Sequence, residues 1–161
     1  LDALAESAGE ALPERAGALL TPERLPQAKL WAVSRLLRLR AERWPVLRDA
    51  PHEALELTGP ASTATLAYRR ATPQGQVCVV AGRFFARQDE ASARDAAQAP
   101  GPWRSSPWQG TRVTLPADAD TLGWTDAMTG RHWAPGAAWE VDALLRDWPC
   151  AVLVSRPVGG R

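Results

Sequence analysis

A chain of 161 residues and 17.4 kDa, 45% hydrophobic and 23% charged, suffices for one globular domain or for a small domain with a helical appendage. It falls short of the roughly 200 residues that a (β/α)8 barrel needs at the least. Nineteen Lys and Arg against eighteen Asp and Glu leave a formal net charge of +1, which supplies no basic field for nucleic acid or anionic lipid.

From the start, Leu1, Leu4, Ala5, Ala8, Ala11 and Leu12 recur at helical spacing, and Pro13 ends or kinks that helix. Thr21-Pro22 then offers a cap and a first-turn proline. From Gln27 to Arg43 the period is strongly helical, with Leu30, Val33, Leu37 and Trp44 on one stripe and Leu36 beside it; Trp44-Pro45 stops it. That stripe is too apolar to stand in water and must pack on the sheet or on protein outside this chain. After about Asp49 the period changes to two. Strands are predicted at Ala54–Thr58, Ala64–Arg69, Gln76–Ala81, Thr111–Leu115, Gly123–Ala127 and Cys150–Val154, with one helical segment at Val141–Trp148 before the last. The pattern predicts an α+β chain: helices over residues 1–48, a small antiparallel β-sandwich domain over 49–156 with an irregular insertion at 83–110, and a tail at 157–161.

Cys78 and Cys150 each lie inside an apolar run, and two thiols build neither a disulfide framework nor a four-ligand zinc site. Buried free thiols in a reducing cytoplasm are the expectation. There is no signal-peptide pattern and no apolar stretch near the roughly 20 residues of a membrane helix. The chain opens on Leu1, without an initiator Met, in a pattern that is already helical, and so reads as a piece of something longer.

Chemistry is sparse. Asp126, Glu140, Asp142 and Asp147 are the carboxylates of the sheet half; Asp126, two residues after Trp124 and just before Thr129-Gly130, reads as the acceptor of a tight turn, and the others as caps or solvated surface. His52 and His132 have no neighbours at metal-ligand spacing, and no nucleophile elbow, phosphate loop or dinucleotide fingerprint occurs. No catalytic residue, metal or cofactor is therefore expected. Eight tryptophans are the unusual feature. Trp31, Trp44, Trp124 and Trp148 sit at patterned positions and read as core, whereas Trp103 and Trp108, in the insertion, are the candidates for stacking on a sugar.

Three stretches in order carry a resemblance: the helix Gln27–Arg40 followed by Arg43-Trp44-Pro45, the hairpin motif Gly123-Trp124-Thr125-Asp126-Ala127-Met128-Thr129-Gly130-Arg131, and the closing Leu144–Val154 with its Leu-Leu-x-x-Trp-Pro-x-Ala pattern. Together they resemble the C-terminal portion of maltooligosyl trehalose synthases, of the α-amylase superfamily. The family's helix begins Asp-Gly-Arg-Ile-Lys; here the run is Leu25-Pro26-Gln27-Ala28-Lys29, and of those residues only Lys29 is kept, as the one substrate-proximal candidate. The family's compact connection before its Leu-Pro strand end, here Leu115-Pro116, is replaced by the 83–110 stretch. The resemblance implies an enzyme that turns the reducing-end α-1,4 linkage of a maltooligosaccharide into an α,α-1,1 linkage, by a retaining mechanism with an Asp nucleophile and a Glu acid/base. None of those carboxylates matches a residue here, so this chain would be inactive alone. Its helices would be the end of a (β/α)8 barrel belonging to the same polypeptide, its sheet a stabilising module, and Trp124, Asp126, Thr129 and Gly130 a structural turn. The runner-up is a stand-alone α-glucan-binding β-sandwich using Trp103, Trp108 or Trp133. Neither reading involves nucleic acid or a membrane.

Overall fold

The computed structural model describes residues 12–84, 107–115 and 123–155. Helix α1 is described over Leu12–Ala18 and includes Pro13. The described part of α1 runs on past Pro13, and the helical run expected before it, residues 1–11, lies outside the described residues. A 3-10 turn at Pro22–Arg24 leads into α2 (Leu25–Glu42), and Pro45 sits in the first turn of a separate helix, α3 (Trp44–Asp49). The Trp44-Pro45 pair thus starts a new helix where α2 stops.

The strands are β1 (Glu53–Ala54), β2 (Glu56–Thr58), β3 (Thr65–Thr72), β4 (Gly75–Gly82), β5 (Arg112–Thr114), β6 (Trp124–Asp126), β7 (His132–Trp133), β8 (Ala138–Glu140) and β9 (Cys150–Ser155), with α4 (Val141–Leu144) between the last two. They form two antiparallel sheets, one in the order β1-β3-β4-β9-β6-β7 and one in the order β2-β5-β8. Where one strand was expected over Ala54–Thr58, the chain breaks at Leu55: its N–H donates to the Ala67 carbonyl at 3.1 Å while its side chain enters the core, and the chain passes from the first sheet to the second. Strands β7 and β8 went unread because two or three residues are too few to display an alternation. The helix expected over Val141–Trp148 shrinks to α4.

The central strands β4 and β9 have neighbours on both sides and are covered on both faces, which is why they read as near-continuous apolar runs. On one face Cys78, Val80, Ala151 and Leu153 share a core with Val113 of β5 and Trp139 of β8. On the other, Val77 and Val152 share a second core with Ala16 of α1, Ala28, Trp31 and Leu39 of α2, and Val46 of α3. A fully buried Val or Leu is worth about 1.5–3 kcal/mol, so these two cores hold the helices to the larger sheet and the sheets to each other. The Arg70 guanidinium of β3 adds a polar tie, donating to the Leu47 and Ala50 carbonyls at the end of α3. Among the described residues no helix is long and apolar enough to cross a membrane.

Cys78 is fully buried, and desolvation pushes its thiol up to about 12; burial and the nearby Asp126 push Cys150 up to about 11. A raised thiol pKa favours the neutral form in the fold. The associated stability is complete below the ordinary thiol range and is lost as pH rises through about 11 to about 12. Iodoacetamide at pH 8 is accordingly expected to leave both cysteines unmodified in the native chain and to alkylate both in urea, read by mass spectrometry. Rapid labelling of Cys78 in the native chain would contradict this packing.

Candidate functional site

The turn between β6 and β7 is built around one buried carboxylate. Asp126 Oδ1 accepts the N–H groups of Met128 and Val152, each at 3.0 Å, and Oδ2 accepts the Thr129 hydroxyl at 2.5 Å. Its backbone closes the same turn, with Asp126 N–H donating to Arg131 O at 2.9 Å and Gly130 N–H to Asp126 O at 2.7 Å. Gly130 takes φ +74°, and a Cβ there would press on the Leu12 side chain, so glycine serves both the left-handed turn and the close approach of α1. Burial raises the Asp126 pKa, opposed by the Thr129 hydroxyl and the N–H groups of Val152, Met128 and Thr129. Both oxygens are engaged inside the fold, so this carboxyl is placed to organise backbone rather than to meet a substrate.

Helix α2 is fastened to the same turn. Trp31 Nε1 donates to Met128 O at 3.2 Å, and one helical turn later Arg35 Nε donates to Ala127 O at 2.6 Å. The guanidinium groups of Arg15 and Arg35 lie 5.7 and 5.6 Å from the Trp31 ring centre. Desolvation, then Arg38, lowers the Arg35 pKa, while Asp126 and Glu42 oppose that shift. Beyond the turn, Arg131 pairs with Asp147 at 2.5 Å and Arg112 with Glu140 at 2.5 Å. Trp31 and Arg35 were missed as anchors in the sequence; their i,i+4 spacing on the flank away from the leucine stripe was the available signal.

Asp126, Thr129 and Gly130 therefore come together in one turn, whereas Trp124 lies in β6 before it, fully buried and edge-on to Trp139 at 5.5 Å between ring centres. Lys29 stands apart from them, exposed on α2. Trp108 is 1% exposed inside the core between the sheets and offers no face for a sugar ring, which corrects the stacking expectation; Trp103 lies outside the described residues. Trp31 and Trp148 are buried as expected, but Trp44 is exposed, with Arg40 stacked over it at 4.9 Å. Among the described residues no group of three or more His, Cys, Asp or Glu is placed to hold a metal.

The second feature is a surface. At about 100° per residue, Leu25, Leu30, Val33, Leu36 and Leu37 fall within one arc of α2, opposite the arc of Ala28, Trp31, Arg35 and Leu39 that meets the sheet. Those five side chains and Trp44 are between 41% and 58% exposed. The predicted stripe is thus real as a helix face, but it points away from the sheet.

No family model and no curated protein matches the chain. Among solved structures, the chain is similar to a mutant of maltooligosyltrehalose synthase from Arthrobacter ramosus, with a TM-score of 0.53 and 22% identity over 88% of this chain. The two share a fold. The match spans 16% of the length of that synthase.

Proposed function

We propose that the chain is the C-terminal, non-catalytic portion of an enzyme similar to maltooligosyltrehalose synthase, an intramolecular transglucosylase that makes a trehalose end on a maltooligosaccharide. In this reading α1 to α3 are the end of a (β/α)8 barrel carried by the same cytoplasmic polypeptide. The two sheets, folded over one core, form a sandwich that stabilises the barrel's flank. The observation that carries the reading is the outward apolar face of α2: five large side chains of α2, and Trp44 at the start of α3, about half exposed to water, are a surface awaiting protein. The fold shared with part of a synthase supports it, as do the three sequence motifs in order. Lys29, on the outward face, is the one residue here proposed to approach the barrel's substrate side.

The test is to incubate maltopentaose separately with the 161-residue chain and with the complete polypeptide that its gene encodes. The complete polypeptide is expected to remove the reducing end without releasing a matching amount of glucose, and the 161-residue chain is expected to do nothing. Product from the 161-residue chain alone, or plain hydrolysis by the complete polypeptide, would overturn the assignment.

A further inference from the structure

The outward face of α2 carries charge as well as apolar surface. From Glu23 to Arg43 the sequence holds six basic residues and two acidic ones, within a chain whose net charge is only +1. Three of these six cations are already engaged, Arg24 with the Ala18 carbonyl, Arg35 with Ala127 and Arg38 with Glu42, and Arg43 is half-buried. Lys29 and Arg40 differ in having no acidic or carbonyl partner among the described residues, although Arg40 stacks over the Trp44 ring at 4.9 Å. Both are exposed and lie inside the apolar arc, between Leu25 and Leu36 on one side and Val33 on the other, with no carboxylate partner among the described residues. They are eleven residues apart, three turns of helix, which puts them on nearly one line about 16 Å apart.

Covering the leucines with another protein surface necessarily covers these two cations, and a buried charge is tolerated only when it is paired. We propose that α2 docks onto an apolar protein surface, part of the same polypeptide, that presents two carboxylates about 16 Å apart, one to Lys29 and one to Arg40. This rests on the barrel reading above and adds the chemistry of the barrel's contact surface. A second copy of this chain is disfavoured as occupant, because two such faces laid together set cation against cation at both positions. An anionic lipid surface is also disfavoured: recognition of that kind uses clusters of about 4–8 basic residues, and this face has two that are uncommitted to an acidic or carbonyl partner.

Lys29 is the only lysine in the chain, so side-chain acylation mapped to a peptide within these 161 residues reads this one position, apart from the terminal α-amine. N-hydroxysuccinimidyl acetate is applied to the 161-residue chain and to the complete polypeptide, followed by peptide mass spectrometry; a carbodiimide, which joins an amine directly to a carboxylate in contact with it, is used in parallel. The expected result is Lys29 acetylation about tenfold slower in the complete polypeptide, as a paired and desolvated amine requires, and a Lys29 cross-link to an Asp or Glu outside residues 1–161. Slow acetylation with no such cross-link leaves the docked barrel standing and overturns the paired carboxylates. Equal acetylation in both overturns docking and pairing together. Protection of Lys29 in the 161-residue chain by vesicles of phosphatidylserine and phosphatidylcholine assigns the face to lipid and overturns the proposal. The Lys29→Glu, Arg40→Glu variant is expected to weaken attachment in the complete polypeptide while leaving the 161-residue chain folded; attachment that is indifferent to it counts against the pairing.

Discussion

Replacing Asp126 by alanine is expected to lower the unfolding free energy of the chain by about 3–5 kcal/mol. The deletion strips the acceptor from three donors at once, the N–H groups of Met128 and Val152 and the Thr129 hydroxyl, in a place that water does not reach. Each buried donor left without a partner costs about 1–3 kcal/mol, against a total stability of about 5–15 kcal/mol for a domain of this size. The loss does not stay local. The turn supplies the Met128 and Ala127 carbonyls that receive Trp31 and Arg35, and through them the orientation of α2. Asp126→Asn keeps Oδ1 as an acceptor and turns the other oxygen into a donor that the Thr129 hydroxyl can accept, so its cost is expected to be about 1–2 kcal/mol. Urea unfolding followed by tryptophan fluorescence separates the cases. An alanine variant within about 0.5 kcal/mol of the parent would show that the turn is not a keystone.

Much of this fold was legible because periodicity marks elements that are long or buried on both faces. α2 and the central strands β4 and β9 are of that kind, and the Asp-x-x-Thr-Gly sequence at 126–130 carries the signature of a side-chain-closed turn. The direction in which α2 faces was not legible. Ala28, Trp31 and Leu39 on one side and Leu30, Val33 and Leu37 on the other are both plausible core faces. The choice is made by two hydrogen bonds to carbonyls 97 and 92 residues further along the chain, which no local pattern contains. Trp44 illustrates the same limit: its patterned position predicts core, and Arg40 instead covers one side of the ring in an exposed setting. Trp108 errs in the opposite sense. An irregular neighbourhood suggested exposure, yet the turn that follows folds the indole between the sheets, where the 111 N–H bonds to the 108 carbonyl at 3.0 Å.

The outward face of α2 sets the decisive experiment. The variant Leu30→Arg, Leu37→Arg places two charges on the outward face and touches nothing that packs against the sheet. In the 161-residue chain both positions are in water, and its urea unfolding free energy is expected to stay within about 0.5 kcal/mol of the parent. In the complete polypeptide proposed above both positions are buried against the barrel, where each unpaired charge costs several kcal/mol, so about 4 kcal/mol or more is expected to be lost together with the proposed trehalose-forming activity. If the complete polypeptide tolerates the two arginines as readily as the 161-residue chain does, the outward face of α2 is solvent-exposed in the whole protein, and the chain is not the end of a barrel.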